Sequence, residues 1–207
     1  MTNAVIAITG GNSGIGLAIT TRYLQLGCRV AILARDLTKM QSLQTQYPEQ
    51  LMLHSGDVTR IEDLSNFFES CAKRWGKIDS VIANAGIAIP ESLRDVTEAS
   101  FERSVNVNVK GVFFLTQKLL PLIRMAASAD DPARIINIGS IDGLKSSHFD
   151  VFSYGASKAA VHHLTRFLAA HLAGEHINCN AIAPGPYPTK MLGSGFGGRM
   201  DDEVWEK

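Results

Sequence analysis

The stretch "TGGNSGIG", Thr9 to Gly16, follows a short β-branched run and opens an apolar pattern of helical period. Gly10, Gly14 and Gly16 allow a tight turn and a close approach of other atoms to the backbone. Asn12, Ser13, Gly14 and Ile15 stand where a helix begins. Their unpaired N–H groups and the positive end of the helix dipole suit a pyrophosphate. A glycine-rich turn on its own carries little meaning. Between a strand and a helix, in the first βαβ unit, it reads as a dinucleotide cradle. The spacing, Gly-x3-Gly-x-Gly, departs from the common GxGxxG.

Outward from this turn, apolar runs alternate with helical patterns along the chain. Strands are predicted over residues 4–9, 29–34, 51–57, 80–86, 134–140 and 177–185. Helical patterns fall over 15–26, with Ile15, Ala18, Ile19, Tyr23 and Leu26 on one face, and over 37–46, 61–75, 100–125 and 152–172. Strands apolar throughout and separated by helices argue for an α/β fold, a doubly wound parallel sheet covered on both faces. No linker or repeat divides the 207 residues, so one domain over 1–207 is expected, with an irregular segment from about 190 to 207.

Ligands of open α/β sheets bind beyond the carboxyl ends of the strands. Arg35 follows the second strand. An arginine there accommodates the 2′-phosphate of NADP, whereas an acid binds the free ribose of NAD. Asp36 keeps NAD open, and so does an Arg35 that merely pairs with Asp36 in solvent. Asp57 and Val58 follow the third strand, either beside an adenine or as a cap region before the helix at Ile61. Asn84, Ala85 and Gly86 follow the fourth strand, where small residues leave room for a cofactor or form a turn. Ser140 ends the fifth.

"SYGASK", Ser153 to Lys158, places Tyr154 and Lys158 one helical turn apart on one face. A free tyrosine titrates near pH 10 and is a poor acid/base at neutral pH. An ammonium about 4 Å away would favour the phenolate by up to roughly 4 kcal/mol at an effective dielectric near 20, or about three pKa units. Burial of the phenol opposes this.

"TGGNSGIG", "NAG", Ser140, "YGASK" and Pro184–Gly185, in this order, resemble the short-chain dehydrogenase/reductases, with a weaker likeness to the NADPH-dependent β-ketoacyl reductase branch in "NAIAPGPYPTKM". The resemblance implies a Rossmann-type sheet, a nicotinamide cofactor and hydride transfer between an alcohol and a carbonyl. It implies Tyr154 as general acid/base, Lys158 as the group that lowers its pKa and holds the cofactor ribose, and Ser140 as donor to the substrate oxygen. It places Asn108, or less naturally Asn106, at a water of a proton relay. Pro184, Gly185 and Thr189 would border the nicotinamide. Ser140 stands fourteen residues before Tyr154, one more than the family pattern. The pattern also continues into a further helix and a seventh strand, which the sequence does not show, so a shortened end with a solvent-open pocket is expected.

The expected activity is reduction of a small-molecule ketone with NADP(H), NAD(H) remaining possible. An NAD-dependent polyol or steroid dehydrogenase, or a dinucleotide-binding protein without turnover, are the alternatives. Twenty basic residues balance twenty acidic ones, which gives no electrostatic case for nucleic acid. No apolar run of about 18 residues implies a membrane span. Scattered Cys28, Cys71 and Cys179 read as buried thiols in a reducing, cytoplasmic setting. No acid or cysteine partners His162, His163 and His171 at ligand spacing, so no metal is expected. The helical patterns 100–125 and 152–172 have apolar residues to bury on their outer sides, and the resemblance implies a homodimer or homotetramer through them.

Overall fold

The computed structural model describes residues 3–146 and 149–187. Six strands form one sheet: β1 (Val5–Thr9), β2 (Arg29–Ala34), β3 (Leu51–Ser55), β4 (Ser80–Ala83), β5 (Ala133–Ile138) and β6 (Ile177–Ile182). All pairings are parallel, in the order β3-β2-β1-β4-β5-β6. The chain winds outward from β1 to β3, then crosses back to β4 on the other side of β1. That reversal opens a crevice at the carboxyl ends of β1 and β4. The Rossmann-type reading therefore holds.

Helices α1 (Gly14–Gln25) and α2 (Gln41–Gln46) contribute Leu24 and Leu43 to the cluster on one face, around Ile6, Ile8, Val30 and Ile32. Helices α3 (Ile61–Trp75), α4 (Glu98–Val105), α5 (Gly111–Arg124) and α6 (Phe152–Leu172) follow; Leu64, Phe67, Leu115, Leu119 and Val161 fill the other face, around Val5, Ala7, Val81 and Ile135. Burying each such side chain contributes about 1.5–3 kcal/mol. Cys28, Cys71 and Cys179 are all buried. Helix α3 begins with Glu62 and Asp63, ends with Lys73 and Arg74, and stops at Gly76 in the left-handed conformation, so charge and cap agree with its boundaries.

Four local readings change. Helix α1 buries Gly16, Thr20 and Leu24, while Ala18 and Leu26 of the expected face are exposed. The small face wins because it lets the helix close on the glycine turn, where Thr20 Oγ1 donates to the Gly11 carbonyl at 3.1 Å. The segment 37–46 opens with a 3-10 turn, Thr38–Met40, before α2. The long pattern 100–125 is interrupted by a π-helical turn, Asn106–Lys110, between α4 and α5. Such turns commonly mark functional positions, and this one carries the fully buried Asn108. Strand β6 alternates rather than being apolar throughout: Ile177 and Cys179 are buried, while Asn178, Asn180 and Ile182 are exposed. It is an edge strand among the described residues. The expectations for Thr189 and for residues 190–207 lie outside the described residues.

Candidate active site

Asn84 locks the crevice. Its side-chain N–H groups donate to the carbonyls of Thr9 (3.0 Å) and Gly10 (3.1 Å). The Thr9 hydroxyl accepts from the backbone N–H of Asn84 and Ala85. Gly10 has φ of 66°, and a Cβ on Gly16 would lie 2.2 Å from the Gly10 carbonyl oxygen. The turn can close onto α1 only with glycine there. Ser13 precedes α1 without capping it through its side chain, so the first-turn N–H groups remain available.

A cleft of about 560 Å³ runs from this turn to Ser140, Tyr154 and Lys158. It is lined by every described residue expected at the cofactor except Gly16, which lies beneath the turn: Gly10, Asn12, Ser13, Gly14 and Ile15, then Arg35, Asp57 and Val58, then Asn84, Ala85 and Gly86, and finally Pro184 and Gly185. The volume suits a small-molecule or cofactor site. A dinucleotide fits these residues: the turn offers its backbone N–H groups, and the absent Cβ of Gly86 leaves open the approach to Lys158 Nζ, which such a Cβ would meet at 3.4 Å.

Asp36 also borders the cleft, but its carboxylate is engaged within its own loop. Its carboxylate accepts from the Thr38 N–H (2.9 Å) and hydroxyl (2.7 Å), which hold its pKa below the usual range. Arg35 makes no ion pair with it among the described residues. Asp57 lines the cleft, and its carboxylate also holds the turn before α3, accepting from the N–H and hydroxyl of Thr59. Burial pushes its pKa up, but Thr59, Arg35 and Arg60 outweigh this and hold it low.

At the other end, Ser140 follows β5, and its neighbours Gly139 and Ile141 donate to the carbonyls of Ile182 (2.8 Å) and Pro184 (3.1 Å). This brings Pro184 beside Ser140. Ser140 and Tyr154 both line this end of the cleft, and the Ser140 side chain acts on the Tyr154 hydroxyl to lower its pKa. Lys158 is 4% exposed; its ammonium donates to the Ile138 carbonyl at 2.7 Å and stands 5.6 Å from the Tyr154 ring centroid. Burial brings the lysine down to about 8.

The expected lowering of the tyrosine is absent here. Burial raises the Tyr154 pKa above its ordinary value, the Ser140 side chain opposes this, and the Asp142 carboxylate adds to it. Burial dominates because the ammonium faces Ile138 and is itself desolvated. Asn108 is also engaged differently. Its Oδ1 accepts from the Ile87 N–H at 2.9 Å, and its Nδ2 donates to the Ile87 carbonyl and the Ser157 hydroxyl, each at 2.9 Å. The amide thus clamps the loop after β4 onto α6. Asn106 lies in the same π turn.

Two residues escaped sequence reasoning. His162, weighed only as a metal ligand, is buried against Ser140, with Nε2 2.9 Å from its carbonyl oxygen and 3.4 Å from its nitrogen. Its spacing of one helical turn beyond Lys158 was the available signal. Asp142 enters the cleft because Ser140 caps the short turn Ile141–Gly143; nothing in the sequence aimed it there.

The family model described as short chain dehydrogenase matches residues 4–196. The chain belongs to this family. It is an NAD(P)-dependent oxidoreductase of the short-chain dehydrogenase type. Among its relatives, the rhamnolipids biosynthesis 3-oxoacyl-[acyl-carrier-protein] reductase of Pseudomonas aeruginosa is 39% identical over 196 residues, 90% of this chain and 74% of that protein. The structure of a Pseudomonas aeruginosa RhlG/NADP active-site complex superposes with a TM-score of 0.90 at 34% identity, covering all of this chain and 80% of the other. A 3-ketoacyl-(acyl-carrier-protein) reductase from Brucella melitensis complexed with NADH gives 0.86 at 29% identity, covering 92% and 78%. No helix among the described residues is long and apolar enough to cross a membrane.

Proposed function

We propose that this dehydrogenase reduces a ketone to a secondary alcohol with NADPH, the ketone being a 3-oxoacyl group or a close analogue. One observation carries the reading: a single cleft joins the glycine turn at Gly10–Ile15 to Ser140, Tyr154 and Lys158. A nicotinamide cofactor bound there supplies the hydride. Tyr154 gives its phenolic proton to the substrate oxygen; its raised pKa keeps that proton in place at neutral pH, as the reducing direction requires. Ser140 donates to the same oxygen and steadies the developing charge. Lys158 stabilises the phenolate left behind and holds the cofactor ribose, and solvent returns the proton. Asn108 positions Ile87 and Ser157 around them.

NADPH is favoured over NADH because, of the two charged residues at this end of the cleft, Arg35 makes no ion pair among the described residues while the Asp36 carboxylate is engaged by Thr38. The 3-oxoacyl assignment is supported by the name of the Pseudomonas aeruginosa relative. A homodimer is supported by exposed Phe101, Phe113, Phe152 and Phe167 on α4, α5 and α6. Consumption of NADPH against a panel of 3-oxo esters, cyclic ketones and polyol-derived ketones tests the reading. Binding of NADPH with no turnover of any ketone would reject it.

A further inference from the structure

The end of the cleft around Tyr154 is apolar apart from one carboxylate. Ile87, Ala88, Pro90 and Val151 line it, and Asp142 stands among them. The Asp142 backbone N–H donates to Ser140 Oγ at 3.2 Å, and its Oδ2 lies 3.4 Å from the same oxygen. Its charge is felt at the Tyr154 hydroxyl. Asp142 therefore faces the place where a substrate oxygen would sit between Ser140 and Tyr154.

Among the described residues nothing pairs with its charge: Asp142 makes no ion pair. Two described cations line the cleft, Arg35 and Lys158. Arg35 follows β2, three strand positions from β5, or about 14 Å at roughly 4.8 Å per strand. Lys158 is buried, with its ammonium on the Ile138 carbonyl. Lys145, three residues further along, is exposed and does not line the cleft.

We propose that Asp142 is a specificity-determining residue that makes this site reject carboxylate-bearing ketones and accept uncharged ones, such as esters or thioesters of 3-oxo acids. The inference rests on the reading of the cleft as a ketone-reducing site. A second carboxylate brought beside Ser140 and Tyr154 meets a like charge between low-dielectric walls, and the one described cation close by, the Lys158 ammonium, is buried and engaged by the Ile138 carbonyl. An ester or thioester meets none of this repulsion. The site then handles an acyl chain while it is esterified to a carrier or alcohol, and the free 3-oxo acid is a poor substrate.

The test compares the protein with its Asp142→Asn variant on ethyl acetoacetate and on acetoacetate, with NADPH. The readout is the ratio of kcat/KM for the anion to that for the ester, in which any general loss of activity cancels. The variant should raise this ratio about tenfold or more. A second readout needs no turnover: the fluorescence of bound NADPH is followed while butyrate or butyramide is added. The variant should improve butyrate relative to butyramide by a similar factor. An unchanged ratio in both assays overturns the role of Asp142, whatever the ketone activity. If neither ketone is reduced but the butyrate-to-butyramide ratio still shifts, the reading of the function fails while the exclusion of anions by Asp142 stands.

Discussion

The ammonium of Lys158 donates to the carbonyl oxygen of Ile138 at 2.7 Å. This contact ties α6 to the end of β5. It fixes the lysine beneath the same cleft that Tyr154 lines, in a place so desolvated that the lysine titrates at about 8. Three of the groups proposed for the chemistry, Ser140, Tyr154 and Lys158, thus converge where β5 ends against one helix.

Tyr154→Phe should lower turnover by about 10²- to 10⁴-fold, because the proton proposed to reach the substrate oxygen is the phenolic one. NADPH binding, followed by fluorescence titration, should change little. Retention of more than about a tenth of the activity would remove the tyrosine from its role.

Lys158→Met should weaken both turnover and cofactor affinity, and its effect on stability should depend on pH. The native lysine is held at about 8, below its unfolded value. Between these two values the unfolded chain binds the extra proton, so rising pH favours the native state. Denaturant titrations at pH 7 to 10 should show wild type gaining on the variant from about pH 8 upward, by at most about 3 kcal/mol. The raised thiols of Cys71, about 12, and Cys179, about 11, cancel in this difference. A pH-independent difference would mean the lysine is not desolvated.

Arg35→Asp should reverse the cofactor preference. A charge-assisted contact to the 2′-phosphate contributes about 2 kcal/mol, or roughly thirtyfold in affinity. Dissociation constants for NADPH and NADH on both proteins decide it. Equal affinities in the wild type would make Arg35 a solvated surface residue.

Gly139→Ala should cost about 1–3 kcal/mol, since a Cβ there would meet His162 Cε1 at 2.3 Å. Adding His162→Ala should recover part of that loss, leaving the double variant more stable than the sum of the single losses predicts. Additive losses would show that His162 and the Ser140 loop are not packed as a unit.

Phe167→Asp should shift the protein toward a monomer. Phe167 is 54% exposed on α6, stacked on His171 and edge-on to His163. Light scattering on wild type and variant reads this directly, and a wild-type monomer at micromolar concentration would dismiss the apolar face as an interface.

The sequence by itself determined the sheet and the cradle. β-branched runs ending at glycine turns and separated by helical patterns allow few other folds, and the residues at Gly10–Gly16, Arg35, Asn84–Gly86 and Tyr154–Lys158 are local motifs whose meaning lies in their spacing. Tertiary structure decided what spacing cannot express. The face of α1 followed from how closely it must approach the glycine turn. The direction of the Lys158 ammonium followed from the Ile138 carbonyl, contributed by a strand twenty residues away in sequence, and burial by the surrounding core then set the tyrosine above its ordinary pKa. The grip of His162 on Ser140 and the entry of Asp142 into the cleft arise from packing between the end of β5 and α6. Electrostatic balance in a buried site depends on the distance and desolvation of every neighbour, and those quantities exist only once the chain has folded.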